Sequence, residues 1–379
     1  MAKLGNEKIA WIVSVVFCFF LSLVLAMAAI GDGGSGKEHE VEKLLKKLNK
    51  PAVKSIKSPD GDIIDYVHIL NQPAFDHPKL KNHKIQMRPT FHPKATNFSK
   101  SNPIAQMWYQ SGNCPKGTVR LRRTTEDDVM RADSIKQYSK RRSLYSTEGH
   151  EYAVADLRGD RYYGGHASIN IWKSLVQESN EFSLSQIWIV NDDDPINVET
   201  IEAGWQNDSY QTQCYNLNCQ PGFVLVDKKV AVTSSLELSV YDGSQNELSI
   251  LIWKDPETGN WWMQVGDTST GYWPASLVNR MSESASNVKW GGEIINLRSD
   301  GQHTTTGMGS GYFPEEGYGK ASFFKELSIV DANNNLVSPT NPNISVTNPN
   351  CYNITFYGYS HDWGVYFYYG GPGRNQNCP

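Results

Sequence analysis

From His150 to the end of the chain, short runs of β-branched and aromatic residues alternate with clusters of Gly, Pro, Asn and Asp. This period of two is typical of short strands joined by turns. The turn DPETGN at 255–260 predicts a hairpin, and one short helix is expected within 271–282. The expected strands are 166–172, 181–190, 222–226, 247–254 and 261–266. The segment 150–379 is therefore predicted to be all-β, an antiparallel β-sandwich.

The preceding segment, 37–142, has a different pattern. Apolar residues at Val41, Leu44, Leu45 and Leu48 have the spacing of an amphipathic helix. The prolines within 73–93 exclude long helices there. Thr124 or Thr125, each able to cap free N–H groups, predicts a second helix that runs through Val129, Ala132 and Ile135. The basic cluster at 140–142 predicts an exposed linker and a candidate processing site. We expect a smaller mixed α/β domain here.

The N-terminus has the three parts of a secretory signal peptide. Lys3 and Lys8 precede an uncharged apolar run over 9–25, and Ala26, Ala28 and Ala29 follow it. These features predict a signal peptide over 1–29 that is cleaved near Ala28 or Ala29. An uncleaved signal anchor is the alternative, because the run is close to membrane-spanning length. No later stretch is long and apolar enough to span, so no membrane contact is expected after cleavage.

Charge and cysteine count limit the partners. The net charge of −4 implies no nucleic-acid or membrane-surface partner. Five cysteines remain after Cys18 of the signal, so one is expected to stay unpaired. Cys214 with Cys219 and Cys351 with Cys378 are the expected disulfides, which leaves Cys114. No Cys/His cluster has metal-ligand spacing, and we expect neither a metal nor a cofactor. Four N-x-S/T sequons predict glycosylation at Asn97, Asn207, Asn343 and Asn353.

Familiar catalytic motifs are absent from the sequence: there is no G-x-S-x-G, H-E-x-x-H or P-loop. Two strand glutamates remain as candidates. In VETIEAGWQ, alternation places Glu202 on the face of Gly204 and turns Trp205 into the core. In VKWGGEIIN, Glu293 shares a face with Gly291, and Trp290 points the opposite way. A glycine in a strand often marks close approach by another backbone or a ligand.

The two glutamates could form a catalytic pair. An ionised carboxylate would take a proton from water while the other, held protonated, would act as the acid. Such a pair can hydrolyse an amide without a covalent intermediate. The alternative is that both are ordinary solvated glutamates. The Gly-rich segment 299–317, which ends in Glu315 and Glu316, is either a substrate-lining loop or a flexible surface loop.

These segments resemble the plant neprosin family over nearly the whole chain after the signal peptide. The resemblance rests on LNKPAVKSIKSPDGDIIDYV and RRTTEDDVMRADSI in the first half. In the second half it rests on EFSLSQIWI, IEAGWQ, CYNLNC, WGGEIIN and DGQHTTTGMGSGYFPEEG. It implies a secreted glutamic endopeptidase with a β-sandwich catalytic domain at 150–379. The enzyme would be made as a zymogen whose pro-segment, the activation peptide at 37–142, inhibits it.

The resemblance further implies cleavage of peptides or proteins after proline at acid pH, in the apoplast, cell wall or vacuole. The family's catalytic glutamates lie in the IEAGW and WGGE motifs, here Glu202 and Glu293, which would share one activated water. Trp205, Trp290 and Tyr312 are candidates to stack on a proline ring, with core packing as the alternative for each.

Two features depart from the family pattern. Tyr66 stands where the family usually has a cysteine, the natural partner of Cys114. Only Asn207, Asp208 and Ser209 separate GWQ from Tyr210, where the family has about a strand's length of Leu, Tyr and Trp-rich chain. This deletion is expected to leave a sheet edge unpaired beside Glu202. It favours two alternatives to a peptidase: a non-catalytic extracellular module that binds glycan or protein, or an inactive homologue.

Overall fold

The fold is described from a computed structural model. It describes residues 38–94, 106, 114–130, 149–207 and 222–379. The chain divides into two compact units, Met1–Leu48 and Asn49–Pro379. In the first unit, residues 38–48 form helix α1, which confirms the predicted amphipathic helix. No helix among the described residues is long and apolar enough to cross a membrane. The predicted signal peptide and Asn97 lie outside these residues.

A small antiparallel sheet begins the second unit. Strands β1 (Ala52–Lys57), β2 (Ile63–His68) and β3 (Thr118–Arg122) pair in that order. Three short 3-10 helices follow β2, and helix α2 (Glu126–Met130) follows β3. Thr125 caps α2, because its Oγ1 accepts from the Asp128 N–H and the Asp128 carboxylate accepts from the Thr125 N–H. The expected mixed α/β segment is thus present, while Ala132 and Ile135 lie outside the described residues.

Two larger antiparallel sheets follow. The five-stranded sheet has the order β15-β4-β12-β6-β7. The nine-stranded sheet has the order β16-β17-β13-β5-β9-β10-β11-β8, with β14 paired to β13. The strands of the first are β4 (His150–Tyr162), β6 (Ser183–Asn191), β7 (Glu199–Asn207), β12 (Ala285–Ile295) and β15 (Asn343–Val346). The strands of the second are β5 (Gly164–Asn170), β8 (Val224–Leu225), β9 (Glu247–Lys254), β10 (Trp261–Val265), β11 (Thr268–Trp273), β13 (Ser322–Val330), β14 (Leu336–Val337), β16 (Asn353–Ser360) and β17 (Gly364–Gly370).

One hydrophobic core joins the inner faces of the two large sheets. It contains Ile187 and Trp290 from the five-stranded sheet and Ile250, Phe324 and Phe367 from the nine-stranded sheet. This is the predicted all-β sandwich, in which alternate residues of each strand point inward. The predicted hairpin over 247–266 is formed by β9 and β10, and the expected short helix is the 3-10 turn Ala275–Leu277.

The cysteine predictions are confirmed where the structure describes them. Cys351 and Cys378 form a disulfide, and Cys114 is free. Cys114 packs against a cluster that includes Tyr66, the position of its expected partner in the family. Cys214 and Cys219 lie outside the described residues. Of the sequons, Asn343 is exposed, while Asn207 and Asn353 are half-buried. Glycosylation at all of them stays a prediction.

Candidate active site

Both predicted glutamates lie on the outer face of the five-stranded sheet. Trp188 of β6 is opposite Lys289 of β12 on one side and Glu202 of β7 on the other. Leu184, four residues before Trp188 on the same strand, is opposite Glu293 and Gln206. Because residues that are opposite each other, or an even number apart, share a face, all of these side chains point to one side. We call this side the glutamate face. It comprises Tyr152, Val154 and Asp156 of β4, Leu184, Gln186 and Trp188 of β6, Glu202, Gly204 and Gln206 of β7, and Lys289, Gly291 and Glu293 of β12.

The register also separates the two glutamates. β6 lies between their strands, and Lys289, level with Glu202, precedes Glu293 by four residues. Their Cα atoms are therefore about 10 Å apart across the sheet and about 13 Å apart along it. This separation leaves room for a ligand between the carboxylates. That both contact one water stays a prediction.

Glu293 is held by two side chains of β4. Its Oε1 accepts a hydrogen bond from the Tyr152 hydroxyl at 3.1 Å and is bonded to Nδ1 of His150. The His150 ring stacks on Tyr152 and meets Phe182 edge-on. Both bonds involve Oε1, and no described residue bonds Oε2, which can accept from a ligand or water. Glu293 is only 7% exposed, so its carboxylate is fixed on the face rather than solvated at random.

Glu202 lies on β7, the strand that ends the five-stranded sheet. Its Oε1 accepts from the Thr200 hydroxyl at 2.7 Å, and its side chain is half-buried. Within the described part of the chain no strand pairs with the outer side of β7, and the unpaired sheet edge stays a prediction. The shortened segment after Gln206 lies outside the described residues from 208 onward.

Lys289 is the cation of the glutamate face. Burial lowers its pKa, and the nearby charge of Arg158 lowers it further. The carboxylates of Asp156, Asp192 and Glu293 act in the opposite direction. Lys289 lies level with Glu202, so the glutamate face carries an amine as well as carboxylates. Its surroundings disfavour the charged form of this amine.

Two of the three aromatic candidates were wrongly predicted as substrate contacts. Trp205 and Trp290 point into the core between the sheets, and their Nε1 atoms donate to the carbonyls of Asn170 and His166. Alternation puts both indoles on the side opposite the glutamates, so the core-packing alternative is correct for them. Tyr312 is exposed and packs against Tyr241, outside the five-stranded sheet.

The segment 299–317 has a buried centre around residues 303–309 and exposed residues toward its ends, so it is not simply a flexible surface loop; that it lines the substrate stays a prediction. Thr304 and Thr306 are buried and donate their hydroxyls to the carboxylate of Glu181. His303 packs its imidazole against Glu151, with both Nε2–oxygen distances near 3 Å (3.0 and 3.1 Å). Burial opposes charge on each partner, yet their hydrogen bonds prevail and raise the pKa of His303 while lowering that of Glu151. The ion pair between His303 and Glu151 therefore anchors this loop to β4.

The described residues contain one cluster with metal-ligand atoms, formed by His303, Cys351 and Cys378 within 4.8 Å. Its chemistry does not suit a metal, because the two sulfurs are joined in a disulfide. Both His303 nitrogens are also engaged, Nδ1 with the Thr304 carbonyl and Nε2 with Glu151.

Sequence reasoning missed three side chains of this region: His150, Tyr152 and Gln186. His150 and Tyr152 contact a glutamate more than 140 residues away in sequence, and no local pattern predicts such a contact. Gln186 did carry a signal, since it is a polar residue inside the apolar strand FSLSQIWIV. Its position on the glutamate face could have been read from the same alternation that placed Glu202.

The family model described as Neprosin matches residues 205–372, and the model described as Neprosin activation peptide matches residues 55–156. The chain belongs to the neprosin family. It is a family of peptidases made as zymogens, with the activation peptide preceding the catalytic segment. In this neprosin-family chain, Glu293 lies inside the matched catalytic segment, and Glu202 lies between the two matches.

Among the solved structures to which the chain is similar is the crystal structure of scytalido-glutamic peptidase with a peptide-based transition-state analogue. The sequences are 12% identical, the TM-score is 0.31, and the match covers 59% of this chain and 98% of that one.

The neprosin activation peptide packs on the other large sheet. Its apolar residues Ala74, Phe75, Leu80 and Ile85 cover Trp253, Trp262 and Tyr272 on the outer side of the nine-stranded sheet. We call this side the covered face; it consists of Val224, Val226, Leu251, Trp253, Trp262, Tyr272, Val330 and Leu336. Among the described residues, the hydrogen bonds from 72–92 to the catalytic segment reach this sheet and its connecting turns, as in the bonds of Gln72 to Leu225 and Thr90 to Asp255. Any contact of the activation peptide with the glutamate face must involve other residues.

Proposed function

We propose that this protein is a secreted glutamic endopeptidase that cleaves peptides after proline at acid pH. The proposal is carried by one observation: two glutamates share an outer sheet face, and one of them is held through Oε1 alone by His150 and Tyr152. A carboxylate with one oxygen fixed and the other available is suited to take a proton from water. Membership of a zymogen peptidase family supports the same reaction class.

Glu293 is the proposed base and Glu202 the proposed acid. Glu293 Oε2 takes a proton as the water oxygen adds to the scissile carbonyl carbon. Protonated Glu202 then gives its proton to the leaving nitrogen, and the C–N bond breaks to release an acid and an amine. Solvent returns both glutamates to their starting states. The peptide lies between them, in the gap that the register leaves.

The test is acid incubation of the purified secreted protein with a proline-containing reporter peptide. Glu293→Gln and Glu202→Gln should each lower the rate by about 10³-fold and leave the unfolding transition unchanged. Glu315→Gln, in an exposed turn of the 299–317 loop, is the control and should keep full activity. Full proteolysis by Glu293→Gln would rule out the proposed base.

A second function is favoured by a separate aromatic cluster. Tyr318, Tyr357 and Tyr359 are 60%, 51% and 68% exposed, and Tyr318 packs against Trp363 while Tyr357 stacks on Tyr366. Exposed tyrosines of this kind suit a module that binds glycans, and extracellular cell-wall polysaccharide is the ligand we would test. Retention of the protein on a glycan column, lost in Tyr357→Ala, together with no cleavage of any reporter, would favour this function over the peptidase.

A further inference from the structure

Gln186 is at the centre of the glutamate face. It is opposite Gly291 of β12 on one side and Gly204 of β7 on the other. Glu293 and Glu202 are its diagonal neighbours on these two strands, two residues from each glycine. Diagonal neighbours have Cα atoms about 7–8 Å apart, within reach of long side chains. Gln186 is therefore the one residue of the face that adjoins both glutamates.

The two flanking glycines shape the space around this side chain. A Cβ on Gly204 would lie 2.0 Å from the Ser185 carbonyl oxygen and 2.8 Å from Cγ of Gln186. A Cβ on Gly291 would lie 2.2 Å from the Ala153 carbonyl oxygen. Gln186 thus lies over Gly204 and leans toward the strand of Glu202. The glycines predicted to mark a close approach do so, and the approaching groups are neighbouring strands and this glutamine.

The amide of Gln186 has an unusual environment. The residue is only 8% exposed, and its Oε1 is buried without a hydrogen-bond donor among the described residues. A buried acceptor left without a donor is unfavourable for folding. Leu184 and Trp188, its neighbours along the strand, are apolar, so a methionine would fill the same volume without that cost. An unsatisfied buried group calls for an explanation, and a functional role is one of them.

We propose that Gln186 binds the main chain of the peptide substrate, with Oε1 accepting a hydrogen bond from a backbone N–H. The terminal torsion of glutamine is soft, so the amide can turn its oxygen toward a ligand on this face. Gln186 positions an extended peptide between Glu202 and Glu293. This inference rests on the proposed function only in taking an extended peptide as the ligand.

The first test compares stability with binding. Gln186→Met removes the unsatisfied acceptor, so the free energy of unfolding should stay equal or rise, while KM for the reporter peptide should rise about tenfold. Gln186→Glu keeps the shape and an acceptor oxygen and should recover part of the affinity. Ser234→Ala, which removes a buried hydroxyl that also lacks a partner, is the control and should leave KM unchanged. An unchanged KM in Gln186→Met would overturn the proposal.

The second test identifies the contact directly and needs no turnover. Peptide binding is measured by calorimetry to Glu293→Gln and to Glu293→Gln/Gln186→Met, with peptides N-methylated at each non-proline position around the proline. If Gln186 accepts one N–H, methylation there should weaken binding about tenfold in the first protein and less than about twofold in the second. If N-methylation at each position weakened binding equally in both proteins, the proposal would be overturned.

The two tests also separate this inference from the proposed function. Coupling between Gln186 and one N–H in a protein that cleaves no peptide would support the binding role and refute the peptidase. Cleavage that depends on Glu293 but shows no coupling would refute only the role of Gln186.

Discussion

The two outer faces of the sandwich differ in what their polar groups contact. On the covered face, several polar groups bond the activation peptide, although Trp262 Nε1 has no acceptor among the described residues. The Gln72 amide bonds both the N–H and the carbonyl of Leu225, and the Tyr272 hydroxyl bonds His83 and the Gln86 N–H. On the glutamate face, Gln186 Oε1 has no donor among the described residues. One face is built to hold a segment of its own chain, and the other keeps hydrogen-bonding capacity for a ligand.

This difference bears on how the zymogen is organised. An activation peptide that blocked the active site with its folded part would contact the glutamate face. Here residues 72–92 of the peptide pack on the opposite sheet, and Ile56, Ile64 and Tyr66 of its small sheet pack with Ala231. Residues 72–92 therefore stabilise the catalytic segment from the side opposite the glutamate face.

Of the substitutions that test this difference between the two faces, we expect the largest effect at Asp255, in the turn after β9. This carboxylate is fully buried and accepts from the Thr90 N–H and hydroxyl, each at 2.6 Å, and from the Gln86 amide. Burial raises its pKa, but these hydrogen bonds outweigh burial and hold the pKa below its usual value. Asp255→Ala leaves the donors without an acceptor and should lower the free energy of unfolding by about 3 kcal/mol.

Urea denaturation measures this loss. Glu257→Ala, two residues away on the exposed side of the same turn, is the matched control and should change stability by less than about 0.5 kcal/mol. If Asp255→Ala were as mild as the control, the covered face would not be held by these bonds, and the contrast between the faces would disappear.

A smaller effect is expected on the glutamate face. Tyr152→Phe removes one of the two side chains bonded to Glu293 Oε1 and leaves His150 in place. The carboxylate should be less well oriented, so kcat should fall about tenfold with KM unchanged. Tyr359→Phe, an exposed tyrosine of β16, is the control. A rise in KM at constant kcat would instead assign Tyr152 to substrate binding.

The contrast between the faces was only partly accessible from the sequence. Alternation along a strand is a local property, so it correctly turned Glu202 outward and Trp205 inward. The register between strands is set by tertiary packing, and it decides that Gln186 adjoins both glutamates. The docking of the activation peptide depends on contacts such as Thr90 with Asp255, which are 165 residues apart in sequence. No periodicity in either segment could indicate that pairing.

The smallest expected effect is a pH dependence of the docking of the activation peptide on the covered face. Burial lowers the pKa of His83, whose Nε2 lies 2.7 Å from the Tyr272 hydroxyl. That hydroxyl accepts from the Gln86 N–H and can still donate its own proton to Nε2 of His83, a bond that only the neutral ring can accept. Because the docked pKa is below the free value of 6.5, docking is strongest above pH 6.5 and weakens as the pH falls through the docked pKa.

This dependence can be measured after the linker at 140–142 is replaced by a specific protease site and cut. The dissociation constant of the activation peptide should rise with acid by at most about tenfold per pH unit from this one histidine. His83→Gln can still accept from Tyr272 but does not titrate, so its dissociation constant should change less between pH 7 and pH 5. The same slope in both proteins would show that His83 does not sense pH. Acid release of the activation peptide would then have to come from carboxylates such as Asp255, whose lowered pKa makes it protonate at lower pH than an ordinary aspartate.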